Sequence, residues 1–180
     1  SKIYALAMLG RYDEAIECGL RTREVFLAYG DLLSAGKVEQ NLGNLYHRRD
    51  QYPEAERFYR SARDRFLALG DQKLLTYANN GLANVLSLQY HFRDAAQLYE
   101  QALFHAEAAD LEVTRAEIEC NLGNLELFQG HYDRALDYLE RSRRRYTDLN
   151  MPLDSAVAEQ ELADAYLALN LAPEAAAIYE

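Results

Sequence analysis

Apolar residues recur along this chain in steps of three and four, the spacing of one helix face, and the same outline returns every forty residues. Val38, Leu42 and Leu45 make one stripe, Ala78, Leu82 and Val85 repeat it, and Ile118, Leu122 and Leu125 repeat it again. Beside each stripe stands a small residue, Gly43, Ala83, Gly123 or Ala163, which lets a second helix approach closely. A second marker keeps the same step: Tyr12, Tyr52, Phe92 and Tyr132 are each followed three residues later by Ala15, Ala55, Ala95 and Ala135, and Ala175 comes next. Two markers with one period predict a repeat array, with two helices, A and B, in each unit.

The spacing predicts A helices over 33–48, 73–89, 113–129 and 153–169, and B helices over 12–28, 52–68, 92–108, 132–148 and from 172 onward. Residues 31–70, 71–110 and 111–150 are full repeats, and 1–30 and 151–180 are partial ones. No linker or low-complexity tract interrupts them, so 1–180 reads as one continuous array, a piece cut from a longer one. Punctuation supports these limits. The A-to-B turns carry Gly10, Asp50, Tyr90, Gly130 and Asn170, and the B-to-A turns carry Gly30, Gly70, Asp110 and Asn150. All but Tyr90 tolerate the left-handed conformation that ends a helix. Pro53 and Pro173 are expected in the first turn of a B helix, where a missing N–H does no harm.

Composition narrows the function. The balance of 19 basic and 29 acidic residues gives a net charge of -10, which argues against general affinity for nucleic acid or an anionic membrane. No apolar run is long enough for a membrane span. Cys18 and Cys120 fall in repeats too far apart to bridge; they read as buried small hydrophobes, and such sparse cysteine usage suits a reducing, cytoplasmic setting.

The motifs resemble the tetratricopeptide repeat (TPR), whose pattern is Leu-Gly-x-x-Tyr on helix A and Ala-x-x-x-Phe on helix B. Leu42-Gly43 with Tyr46, then Ala55 with Tyr59, carry it best; Leu82-Ala83 with Ala95 and Tyr99, Leu122-Gly123 with Ala135, and Leu162-Ala163 with Tyr166, Ala175 and Tyr179 carry it in part. Glu126 replaces the helix A tyrosine, and Gly19 replaces the helix B aromatic. The forty-residue period is similar to the long-helix arrays of kinesin light chains, spindle-orientation adaptors and bacterial signalling proteins. The resemblance implies an all-α fold, a right-handed superhelical α-solenoid of antiparallel helix pairs, with A helices side by side along a concave groove.

At about 100° per residue, Asn44, Asn84, Asn124 and Asp164 point away from the packing stripes and would form a ladder along that groove. Asparagine is a mediocre residue inside a helix, so its recurrence wants an explanation. An amide offers donors and an acceptor, and so can grip the backbone of an extended peptide; alternatively the amides tie neighbouring helices or face water. Flanking positions would select side chains: Lys37, Gln40, His47 and Arg48, then Tyr77, Asn80, Ser87 and Leu88, then Glu117, Asn121, Leu127 and Phe128, and last Val157, Gln160, Leu167 and Ala168. An acidic group is expected near Lys37 and Arg48, and an apolar one near Leu127 and Phe128.

Other candidates carry less. His91 and His131 read as turn residues, and the run Arg141, Arg143, Arg144 and Arg145 reads as a solvated helix face. No phosphate loop, metal-ligand set or catalytic triad emerges, so neither an enzyme nor a cofactor is expected. The expectation is a protein-interaction scaffold that binds a peptide or partner segment, with no nucleic acid and no membrane. The alternatives are an effector-binding sensor segment of a larger bacterial regulator, and a structural module that self-associates end to end or as a dimer.

Overall fold

The computed structural model describes residues 2–171 together with 174, 175, 177 and 178. Among them are α1 (Lys2–Met8), α2 (Tyr12–Ala28), α3 (Leu32–His47), α4 (Tyr52–Leu69), α5 (Gln72–Leu88), α6 (Phe92–Ala108), α7 (Glu112–Phe128), α8 (Tyr132–Asp148) and α9 (Pro152–Ala168). No strand occurs among the described residues. The odd-numbered helices are the A helices and the even-numbered ones the B helices. Pro173 and Tyr179 lie outside the described residues.

Each full A helix starts and ends one residue earlier than its periodicity suggested. The turns explain the shift. All nine turn positions, from Gly10 to Asn170, have φ between 53° and 76°. The same two hydrogen bonds close each of them; at the first full A-to-B turn, Asp50 N donates to His47 O and Gln51 N to Tyr46 O, both at 3.0 Å. The residue after the left-handed one then serves at once as the cap of the next helix. Asp31 and Asp71 do so with their side chains, accepting the Ser34 amide at 2.9 Å and the Leu74 amide at 3.0 Å. Tyr90 obeys the same geometry at φ 63°, although its Cβ makes that conformation costly, and its side chain stays 79% exposed.

The chain divides near the end of α6 into two compact units, residues 1–105 and 106–180. In the first, Ile3, Leu6, Ile16, Val38, Leu42, Leu45 and Phe58 form a cluster drawn from α1 to α4, and Phe66, Leu75 and Ala78 join α4 to α5. In the second, Ala116, Tyr146 and Ala158, with Leu139, Leu162 and Ala165, join α7, α8 and α9. The marker alanines Ala15, Ala55, Ala95 and Ala135 are fully buried. Gly43 is small because a Cβ there would stand 2.8 Å from the Tyr59 ring, and Gly123 because one would stand 2.6 Å from Leu139 Cγ. Within each unit the B helices cover one side of the A helices and leave the opposite face open.

Candidate functional site: the open face of the A helices

In the first unit the asparagines rest on B-helix phenols. Tyr59 Oη donates to Asn44 Oδ1 at 2.6 Å, and Tyr99 Oη donates to Asn84 Oδ1. Burial pushes the Tyr59 phenol well above its ordinary range, so it stays neutral and keeps its proton to donate. With the amide oxygen engaged, the remaining capacity of each rung is its NH2 group. Lys37 and Arg48 are exposed beside Asn44, and Gln40 and His47 are half-buried. Burial lowers the His47 pKa, and its ring lies 6.2 Å from that of Tyr52. On α5, Tyr77 and Ser87 are half-buried and Leu88 is exposed, but Asn80, expected on the open face, is only 6% exposed.

This face has an unusual charge for so acidic a chain. Glu39 is the one acidic residue of α3, and it is buried; α5 has none. Lys37, Arg48 and Lys73 are all exposed there. The face therefore offers donors and cations to a ligand and no exposed carboxylate.

In the second unit the rung turns over. Leu139 stands where Tyr59 and Tyr99 stand in the earlier repeats, so no phenol reaches Asn124. Instead Asn124 Nδ2 donates to the Glu161 carboxylate, which leaves the amide oxygen and the second N–H of the NH2 group. Asp164, Glu117, Gln160, Val157, Leu167 and Ala168 are exposed and Asn121 is half-buried. Phe128 is 74% exposed, whereas Leu127 packs against the Leu139, Leu162 and Ala165 cluster.

Two buried carboxylates, Glu39 and Glu119, were not singled out by periodicity, and a third, Glu126, was marked only as the residue that replaces the helix A tyrosine. Glu39, fully buried, receives Arg23 Nε and Arg65 Nε, each at 2.7 Å. Glu119, also fully buried, receives Arg141 Nη2 at 2.8 Å and Arg145 Nε at 3.0 Å, and Arg145 also pairs with Glu112. The Arg141–Arg145 run is thus not simply a solvated face: Arg144 is exposed and pairs with Glu140 along the helix, while Arg145 clamps the core. The shared spacing of Glu39 to Arg65 and Glu119 to Arg145 was the available signal. Glu126, at the position of the helix A tyrosine, is held by His131 Nδ1 at 2.7 Å and Arg134 Nη2 at 2.8 Å. His131 therefore does more than fill a turn.

Among the described residues no group of three or more His, Cys, Asp or Glu side chains could hold a metal ion. Cys18 and Cys120 are free and half-buried, less enclosed than expected. Burial, with Glu161 alongside, pushes the Cys120 thiol up to about 12, far from the thiolate that a nucleophile requires. No helix among the described residues is long and apolar enough to cross a membrane.

Comparison with solved structures gives the same architecture at low identity. A Rap protein in complex with competence and sporulation factor matches with a TM-score of 0.86 at 17% identity, over 99% of this chain and 50% of that one. Podosopora anserina putative kinesin light chain TPR-like repeats match with a TM-score of 0.81 at 17% identity, over 98% and 87%. A signal transduction ATPase with a tetratricopeptide repeat sensor from Pyrococcus horikoshii matches with a TM-score of 0.85 at 15% identity, over 98% of this chain but 27% of that one. The chain thus spans half or less of two of these three proteins. A search of curated proteins finds no sequence match. Family models of the tetratricopeptide repeat cover residues 3–68 and 37–108, and a second such model covers 120–150. With matched models over more than half its length, and the helix pairs and turns on which they rest, the chain belongs to the tetratricopeptide repeat family.

Proposed function

We propose that this chain is a protein-interaction module whose open A-helix face holds an extended segment of a partner protein. The observation that carries the reading is the α3/α5 face, where Asn44 and Asn84 keep NH2 donors beside Lys37, Arg48 and Lys73 and no exposed carboxylate competes. Such a face suits backbone carbonyls and acidic side chains. On the α7/α9 face, Asn124, Asn121 and Asp164 are the polar contacts, and Phe128 is the apolar one. The Rap protein, solved with its factor bound, and the ATPase, described as carrying a sensor of this repeat, make ligand capture a reasonable use of the fold.

Selection of random decapeptides on the protein tests this reading. Substituting Asn44→Asp with Asn84→Asp keeps an oxygen to accept from Tyr59 and Tyr99 but replaces both donors with carboxylates. Wild type is expected to enrich acidic decapeptides, and the double variant to bind them at least tenfold more weakly. That loss corresponds to two rungs of about 0.5–1.5 kcal/mol each. Equal binding by the double variant would overturn the proposal.

A further inference from the structure

Positions 39, 79 and 119 are equivalent in the repeat, and all three are buried polar residues that side chains of the B helices hold. Glu39 takes Arg23 from sixteen residues before it and Arg65 from twenty-six after it. Glu119 takes Arg145 at the same distance of twenty-six. At 79 the chemistry changes. Asn79, 1% exposed, stands in place of the glutamate, and its Oδ1 accepts from Arg63 Nε at 2.9 Å. His105 stands where Arg65 and Arg145 stand, and its Nδ1 is buried without a hydrogen-bond partner. All of these groups around Asn79 belong to the first unit. Among the described residues the one ion pair of Arg63 is a loose contact, Nη1 to the exposed Asp64 at 3.6 Å, so its charge meets no carboxylate in the core. Burial, and after it the Arg63 charge, hold the His105 pKa below its ordinary value.

We infer that the place beside Asn79 is a binding site for a small carboxylate anion, of formate or acetate size, held between the Arg63 guanidinium and His105 Nδ1. The equivalent positions supply the template. At Glu39 the chain's own carboxylate lies under two B-helix donors, each at 2.7 Å. Asparagine is one methylene shorter than glutamate and histidine is shorter than arginine, so the two replacements withdraw atoms from the place where the Glu39 carboxylate and its second arginine meet. Asn79 engages only Nε of Arg63, and the terminal N–H groups of the guanidinium remain as the fork from which a carboxylate accepts. His105 with its proton on Nδ1 adds a donor from α6, and an anion there gives a partner to a nitrogen whose isolation is costly. A cationic ligand would meet Arg63, and a bulky one has no entry past so enclosed an asparagine. The site is separate from the open face of the A helices, because Asn79 faces the B helices.

Exchanging sodium chloride for sodium formate at constant ionic strength tests the site, with the His105 ring and Arg63 Nε signals followed by NMR. Wild type is expected to shift both signals along a saturating curve. Asn79→Asp sets a carboxylate against Arg63 without changing the size of the side chain, and Arg63→Met removes the cation while keeping an unbranched stem. Each is expected to weaken formate binding about tenfold or more. Thermal melts give an independent readout: formate should raise the melting temperature of wild type above its value in chloride, by a margin that both variants lose. Sodium benzoate, too bulky to enter, is expected to leave both signals where chloride leaves them. No change on the exchange, shifts that grow without saturating, equal curves for wild type and Asn79→Asp, or a benzoate curve like that of formate would overturn the site.

Discussion

Arg65 grips the buried carboxylate of Glu39 through two contacts, Nε to Oε2 at 2.7 Å and Nη2 to Oε1 at 3.2 Å, while Arg23 holds the same group from α2. A carboxylate with no exposed surface cannot recover water when a partner is removed. Breaking a buried pair costs about 3–5 kcal/mol; because Arg23 remains, Arg65→Met is expected to lose about 2–3 kcal/mol in urea unfolding followed by circular dichroism. Adding Glu39→Leu should restore most of that loss. A single substitution that leaves the midpoint unchanged would show that water reaches the pair.

Gly81 is a second pressure point. Its hydrogen occupies the only room the Tyr59 ring leaves, and that ring is 2% exposed with nowhere to retreat. Gly81→Ala is expected to destabilise the first unit by about 1–3 kcal/mol despite the better helix propensity of alanine. Tyr59→Leu, the residue type found at position 139, should suppress the defect, and a thermal melt of the single and double variants measures the coupling.

Tyr90 holds a left-handed conformation that eight other turns assign to Gly, Asp or Asn. Its exposed ring meets that of Phe92 in a T-shaped contact, at 5.8 Å between centroids, which recovers little of the strain. Tyr90→Gly or Tyr90→Asn is therefore expected to stabilise the protein by about 1 kcal/mol, raising the melting temperature by about 2–4 °C. A lower melting temperature for both would mean that the ring is held by more than that edge contact.

Acid should unfold the protein in two stages. His47 and His105 are held below their ordinary 6.5 by burial, so the unfolded chain takes up their protons first. Their contribution to stability is present above that pH and is lost as pH falls below it. Asp31, which accepts the Ser34 amide, is held below its ordinary 3.8. Glu112, where burial is outweighed by bonds from Arg115 and Arg145, is held below 4.5. Their contributions are present above those values and are lost as pH falls further. Melting temperatures across pH 8 to 3 are expected to fall once below about 6.5 and again below about 4.5. His47→Gln with His105→Gln should flatten only the first fall.

The repeat, the helix pairs and the turns were legible because each rests on local chemistry. A stripe at three and four residues needs a helix, and Gly70 or Asn150 needs no partner to turn left-handed. The asparagine ladder was only half legible. Its outward direction followed from helix geometry, but which end of each amide remains for a ligand depends on Tyr59, Tyr99 or Leu139 reaching across from the other helix, and on Glu161 from the next repeat. The buried Glu39 and Glu119 were invisible for the same reason. A carboxylate on a helix looks solvated until the arginines that cover it are brought together by packing.

The left-handed residues stand at 10, 30, 50 and onward to 170, each twenty from the last. One residue inserted within a helix would swing every later side chain by about 100°, carrying Asn84 or Asn124 off the open face and a leucine onto it. A turn ends that error, because the next helix begins afresh after its own left-handed residue. Such a chain is phase-locked: it can change length in quanta of a whole helix pair, and with each quantum it adds or removes one rung of the open face.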